Sequence, residues 1–306
     1  MSDLPLSGLA PAGGELAPAS AVGPYRLLRV LGRGAAGVVY LALDTRTRQP
    51  LALKLLGLGQ GLEAAEFAPL RERFMAEAAT ARRLAHPDIV RVFAAGEADG
   101  QAWLAMELLG GCDLGRYTHM SRLLPEPLLL RLVERLARAL AHAHAQGVTH
   151  RDIKPGNVML DLPAQSIKLT DFGIAALADA SRTRTGVVLG TPLYMAPEQL
   201  AGAPADPRSD IYSLGVLLFQ LLSGRLPHEH ASLGDLLRAV ARDAAPDLRS
   251  LRPQVSARLA ALVAQALHKQ PAQRHASAAV LADALADALA ALHPGGDAAS
   301  KAACDA

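Results

Sequence analysis

A change of hydrophobic period near residue 110 constrains the fold of this chain more than any other feature. From Tyr25 to about Met106, short apolar runs such as VVYLAL and LALKLL alternate with turn residues, and one helical stretch interrupts them around Arg71 to Leu84. After residue 110 the apolar residues recur at helical spacing, in LLLRLVERLARALAHAHAQ (128–146), IYSLGVLLFQLLSG (211–224) and ARLAALVAQALHK (257–269). A small sheet with one helix, followed by a mostly helical lobe, is the arrangement this order predicts.

Composition narrows the setting. With 306 residues, 51% of them hydrophobic, the chain can bury one large domain or two modest lobes. Its 31 basic and 29 acidic residues leave a net charge of +2, too little to argue for nucleic acid or an anionic membrane as main partner. Cys112 and Cys304 are the only cysteines, and the ten histidines are not paired at metal-ligand spacing. Neither a disulfide framework nor a structural zinc site is expected, and a reducing, cytoplasmic setting fits. Residues 1–24 are rich in Pro, Gly, Ala and Ser, with no Lys or Arg before Arg26, so they read as a flexible leader without a secretion signal. Residues 291–306 read as a flexible tail. The longest charge-free run, Ile211 to Gly224, has 14 residues, short of a membrane span, so no anchor is expected within this chain.

Residues 32–39, GRGAAGVV, place Gly32, Gly34 and Gly37 in a GxGxxGxV pattern between two predicted strands. Absent side chains there let backbone N–H groups approach a polyphosphate, although a plain hairpin uses the same residues. A dinucleotide fingerprint would need a helix next, and here a strand follows. Lys54 then falls inside the apolar run LALKLL, where an ammonium is costly unless it meets a phosphate or carboxylate. Glu77 in FMAEAATARRL is its candidate partner, orienting Lys54 toward the α- and β-phosphates; alternatively Lys54 snorkels at a strand end and Glu77 is a solvated helix charge.

The stretch HRDIKPGN (150–157), followed by Asp171 in TDFG, supplies what a loose phosphoryl-transfer transition state needs. Asp152 would align the acceptor hydroxyl, Lys154 would meet the γ-phosphate, and Asn157 with Asp171 would present hard oxygens to Mg²⁺.

With GRGAAGVV, LALK, Glu77, HRDIKPGN, DFG (171–173) and APE (196–198) in order, residues 25–290 resemble a eukaryotic-type (Hanks-type) serine/threonine protein kinase, most like the bacterial members. The resemblance implies an α+β bilobal protein kinase fold, with a small antiparallel β-sheet N-lobe and one helix at 25–109 and a larger, mainly α-helical C-lobe at 110–290. It implies ATP and Mg²⁺, with Mn²⁺ as a possible substitute, and proteins with Ser/Thr acceptors as substrates. Position by position, Met106 resembles the gatekeeper, the backbone of Glu107 and Leu109 would bond adenine, and Asp113 would lie near the ribose. Val39, Ala52 and Met159 would sandwich the base. Asp210 resembles the acid that braces the catalytic loop, and Glu198 the partner of Arg274. Lys154 in HRDIKP resembles the serine/threonine-specific form.

The resemblance also makes SRTRTGVVLGTPLYMAPE (181–198) an activation segment, in which Thr183 and Thr185 match positions that bacterial relatives autophosphorylate, a step that a transient homodimer would serve. A phosphate there is expected to pair with Arg151. Two departures stand out: Ala36 at the loop tip, where relatives often carry a larger residue, and a long, glycine-rich interval between Lys54 and Glu77. Inactive relatives that serve as scaffolds usually lack the strand lysine, the catalytic aspartate or the metal-binding aspartate, and this chain has Lys54, Asp152 and Asp171. Kinase-like enzymes of small molecules lack the peptide platform that the APE segment forms.

Overall fold

The computed structural model describes residues 20–34, 37–56, 72, 74–76, 78–98, 101–172, 192–230 and 232–292. Of the positions singled out above, Ala36, Glu77, Thr183 and Thr185 lie outside the described residues.

The N-terminal lobe is built on a six-stranded antiparallel sheet in the order β1-β2-β3-β4-β6-β5. Its strands are β1 (Ala21–Val22), β2 (Tyr25–Gly34), β3 (Gly37–Asp44), β4 (Pro50–Leu56), β5 (Val92–Ala98) and β6 (Gln101–Met106). β4 is covered on both faces, which is why LALKLL reads as an unbroken apolar run rather than an alternating one. Leu51, Leu53 and Leu55 pack with Tyr25 and Trp103 on the outer face, while Ala52 and Leu56 pack with Phe74 and Ala78 on the other. The two-residue period puts Lys54 on the same face as Ala52 and Leu56. Residues 72, 74–76 and 78–81 are helical, within the stretch expected to form the one helix of this lobe.

One boundary requires correction. The fold begins before Tyr25: Ala21 pairs with Arg26 and Val22 with Tyr25, Val22 is buried in the outer-face cluster, and Leu27 N–H donates to the Ser20 carbonyl at 3.0 Å. A two-residue strand is too short to show a period, so it was not legible in residues 1–24.

The second lobe carries α1 (Glu126–Ala145), α2 (Pro197–Leu200), α3 (Pro207–Ser223), α4 (Leu233–Arg242), α5 (Leu248–Leu251), α6 (Ala257–Ala266) and α7 (Ala278–Ala291). α3 is buried on every side from Ser209 to Phe219, as its charge-free stretch foretells, and forms the axis of the lobe. Asp206 caps its start by accepting from Arg208 N–H, and Gly224, at φ +72°, ends it. A small sheet of β7 (Cys112–Asp113), β8 (Val158–Asp161) and β9 (Ser166–Leu169) lies on this lobe. The strap at residues 88–91 joins the lobes: Val90 N–H donates to the Leu169 carbonyl at 2.9 Å, and Leu169 N–H to that of Asp88 at 2.8 Å.

Candidate active site

The glycine turn joins β2 to β3, with Gly34 opposite Gly37 in register. Gly37 sits at φ +133°, a conformation that only glycine adopts without strain. A Cβ built on Gly32 or Gly34 would meet no atom within 4 Å, so protein packing alone does not demand glycine there. Open space beside bare backbone suits the approach of a phosphate chain.

Beneath this turn, Lys54 is 4% exposed and its Nζ donates to Asp171 Oδ1 at 2.7 Å. Asp171 is thus the described partner of Lys54, a pairing across 117 positions that no local sequence signal announces. Burial alone would raise the Asp171 carboxyl, but the Lys54 ammonium overrides it, and the acid is held below its ordinary value. Asp171 takes a left-handed backbone, φ +61°, which aims its side chain back across the cleft at a conformational cost the ion pair helps to offset.

The catalytic loop supplies the rest. Pro155 opens a single 3₁₀ turn, Pro155–Asn157, that folds Asn157 back over Asp152. Asn157 Nδ2 donates to Asp152 Oδ2 at 2.8 Å and to its carbonyl at 2.7 Å, and Lys154 Nζ donates to the same Oδ2 at 2.6 Å. Thr170 N–H donates to the Asn157 carbonyl at 2.9 Å, which sets Asn157 one residue from Asp171 across the β8–β9 hairpin. Asp152, Lys154, Asn157, Asp171 and Lys54 thereby form one connected group.

His150 is fully buried behind them. Its Nε2 donates to the Thr170 carbonyl at 2.8 Å and its Nδ1 accepts from Asp152 N–H at 3.2 Å, which assigns the tautomer. Its ring packs against Phe172 with centroids 4.6 Å apart and planes tilted by 54°. Asp210 of α3, completely buried, accepts from His150 N–H and Arg151 N–H, each at 2.8 Å, and from His144 Nε2 at 2.7 Å. Three donors on one carboxylate hold Arg151 at φ +71°. The bracing expected of Asp210 is present, and His144 is a participant that sequence reading passed over as one residue of an alanine-rich helix.

Among the residues expected to line a base, Ala52 and Met106 pair in register across β4 and β6 and belong to one apolar cluster with Val39 and Leu109 packed on it. Met159 on β8 lies opposite Asp113 on β7. Asp113 Oδ1 accepts from Gly115 N–H at 2.8 Å, so this acid caps the following turn. Glu107 N–H donates to the Arg91 carbonyl at 2.9 Å, and among the described residues its carbonyl has no backbone donor. Glu198 and Arg274 form a two-pronged pair at 2.7 and 2.8 Å, as expected. The Arg274 guanidinium also lies 4.9 Å from the centre of the Tyr212 ring.

For a metal, the candidate donors would be the Asp171 carboxylate and the Asn157 amide oxygen, whose nitrogen is spent on Asp152. Among the described residues no cluster of three or more His, Cys, Asp or Glu side chains could hold an ion. Two hard oxygens without further protein ligands fit Mg²⁺, which keeps several waters and shares phosphate oxygens. Among the described residues no helix is long and apolar enough to cross a membrane.

Comparison with known proteins agrees with this geometry. Serine/threonine-protein kinase PknD of Mycobacterium tuberculosis is 40% identical over 272 residues, covering 88% of this chain and 40% of that protein. Serine/threonine-protein kinase PrkC of Bacillus subtilis is 37% identical over 257 residues, 84% of this chain and 39% of the relative. The chain therefore spans about 40% of the length of these relatives. The crystal structure of the Mycobacterium tuberculosis PknI kinase domain superposes with a TM-score of 0.71 at 34% identity, covering 90% of this chain and all of that one. The model of the protein kinase domain matches residues 25–285, and the chain belongs to the protein kinase family, among its bacterial serine/threonine members.

Proposed function

We propose that this chain transfers the γ-phosphoryl group of ATP to serine or threonine hydroxyls of other proteins. The observation that carries the reading is the connected group at the cleft, in which Lys154 and Asn157 converge on Asp152 within 2.6–2.8 Å while Lys54 meets Asp171 at 2.7 Å. Both donors use Asp152 Oδ2, so Oδ1 is the oxygen left to orient an acceptor hydroxyl and take its proton. Lys54 brings a buried cation to the α- and β-phosphates, and Lys154 brings one to the group in transfer. Asn157 and Asp171 would hold Mg²⁺, which when bound neutralises charge on the phosphate oxygens. Val39, Ala52, Met106 and Met159 supply apolar walls for adenine, with the carbonyl of Glu107 and the backbone of Leu109 at its edge.

Asp152→Asn tests the reading, since it keeps volume and removes the proton acceptor. Turnover is expected to fall by about 10²–10⁴-fold with nucleotide affinity unchanged. Full turnover in the purified variant would overturn the role of Asp152. Thr183 and Thr185 are the proposed sites of autophosphorylation between two copies, and a phosphate there would pair with the exposed Arg151. Replacing both by alanine is expected to lower activity on an added substrate. Unchanged activity together with an unchanged phosphorylation pattern would refute that assignment.

A further inference from the structure

The Glu107 carboxylate, one residue past Met106, gathers three segments of the molecule. Its Oε1 accepts from Lys168 Nζ at 2.7 Å and from Arg91 N–H at 2.6 Å. Glu107 N–H in turn donates to the Arg91 carbonyl at 2.9 Å, and Lys168 Nζ reaches the Ile89 carbonyl at 3.5 Å. The strap, the hinge and β9 meet at one ion pair.

This pair stands at the start of an irregular stretch of backbone. Residues 107–110 have no regular secondary structure, so the sheet does not fix them. The two side chains are 18% and 25% exposed, which shields the pair from solvent and strengthens it relative to a surface contact. Lys168 is also opposite Met159 in the β8–β9 register. The pair thus ties the hinge to the strand pair that carries the floor of the base site. Lys168 itself has no part in the group around Asp152 and Asp171.

We propose that Lys168 is a positioning residue for nucleotide binding. By holding the Glu107 carboxylate against the strap, it fixes the backbone groups of residues 107–109 before adenine arrives, so that binding does not have to order them. This rests on the reading that adenine docks at Glu107 and Leu109.

The test is titration of ADP into the unaltered protein and into Lys168→Met, Glu107→Gln, the double variant and Lys168→Arg, with KM for ATP, kcat and melting temperature for each. Lys168→Met is expected to weaken ADP binding and raise KM roughly 5- to 20-fold with kcat unchanged. The double variant is expected to bind no worse than the weaker single variant, because both remove one interaction, and Lys168→Arg to recover most of the affinity. Equal ADP affinity in the unaltered protein and Lys168→Met, or additive losses in the double variant, would overturn the role of Lys168 alone. A fall in kcat that tracks the melting temperature would reduce it to a structural residue. No ADP binding by the unaltered protein would overturn the adenine site, and this proposal with it.

Discussion

At the scale of residues, acids outside the cleft also hold the structure that builds it. Glu198 and Arg274 illustrate the energetics: the Arg274 side chain is fully enclosed, and its charge is matched by the two Glu198 oxygens, one of which also accepts from Ser209 Oγ at 2.7 Å. Burial alone would raise the Glu198 carboxyl, but the bonds from Arg274, then from the backbone and Ser209, hold it below its ordinary value. A folded-state value below the unfolded one means that the contribution is present in full above the ordinary 4.5 and is lost as pH falls below it. Glu198→Gln should therefore cost about 3–5 kcal/mol at neutral pH, by leaving Arg274 buried without its counter-charge. Urea unfolding checks this: the gap between the unaltered protein and the variant should narrow in acid. A gap below about 1 kcal/mol at pH 7 would contradict the account. The motifs made Glu198, Arg274 and Asp210 legible in the sequence. Lys168 was not, because a lysine alternating with Ile167 and Leu169 in a strand looks like any solvated side chain.

At the scale of elements, the short β7 strand shows how narrow the tolerances around the cleft are. Gly111 precedes it at φ +80°, and a Cβ there would lie 2.1 Å from the Leu160 carbonyl oxygen on β8. Gly111→Ala must push β7 away from β8 and draw Asp113 away from Met159 opposite it. The expected loss is about 2–4 kcal/mol from backbone strain and overpacking, together with weaker nucleotide binding. Thermal unfolding and a nucleotide titration check both effects, and a loss under about 0.5 kcal/mol would show that the hairpin yields freely. Elements with strong periods were legible in the sequence. The 20 residues of α1 and the enclosed α3 follow from helical spacing, and β4 from its continuous apolar run. β1 was not legible, since its pairing comes from contact with β2 and Trp103 rather than from any pattern of its own.

At the scale of the whole molecule, the links between the lobes among the described residues include Lys54 to Asp171 across the cleft, the strap bonded to β9 and paired through Asp88 with Arg135 of α1, and Glu107 to Lys168 behind the hinge. The order of the motifs made the division into lobes and most members of the site legible. How those members pair was not, because distances of more than 100 positions along the chain are closed only by tertiary packing, as for Lys54 and Asp171. The central claim is that this assembly moves phosphate onto hydroxyl side chains with Asp152 as the proton acceptor. Mass spectrometry of the purified protein after incubation with ATP and Mg²⁺, beside Asp152→Asn, tests it most directly. The account predicts phosphate on Thr183 or Thr185 in the unaltered protein and none in the variant; equal phosphorylation of both, or none in either, would contradict it.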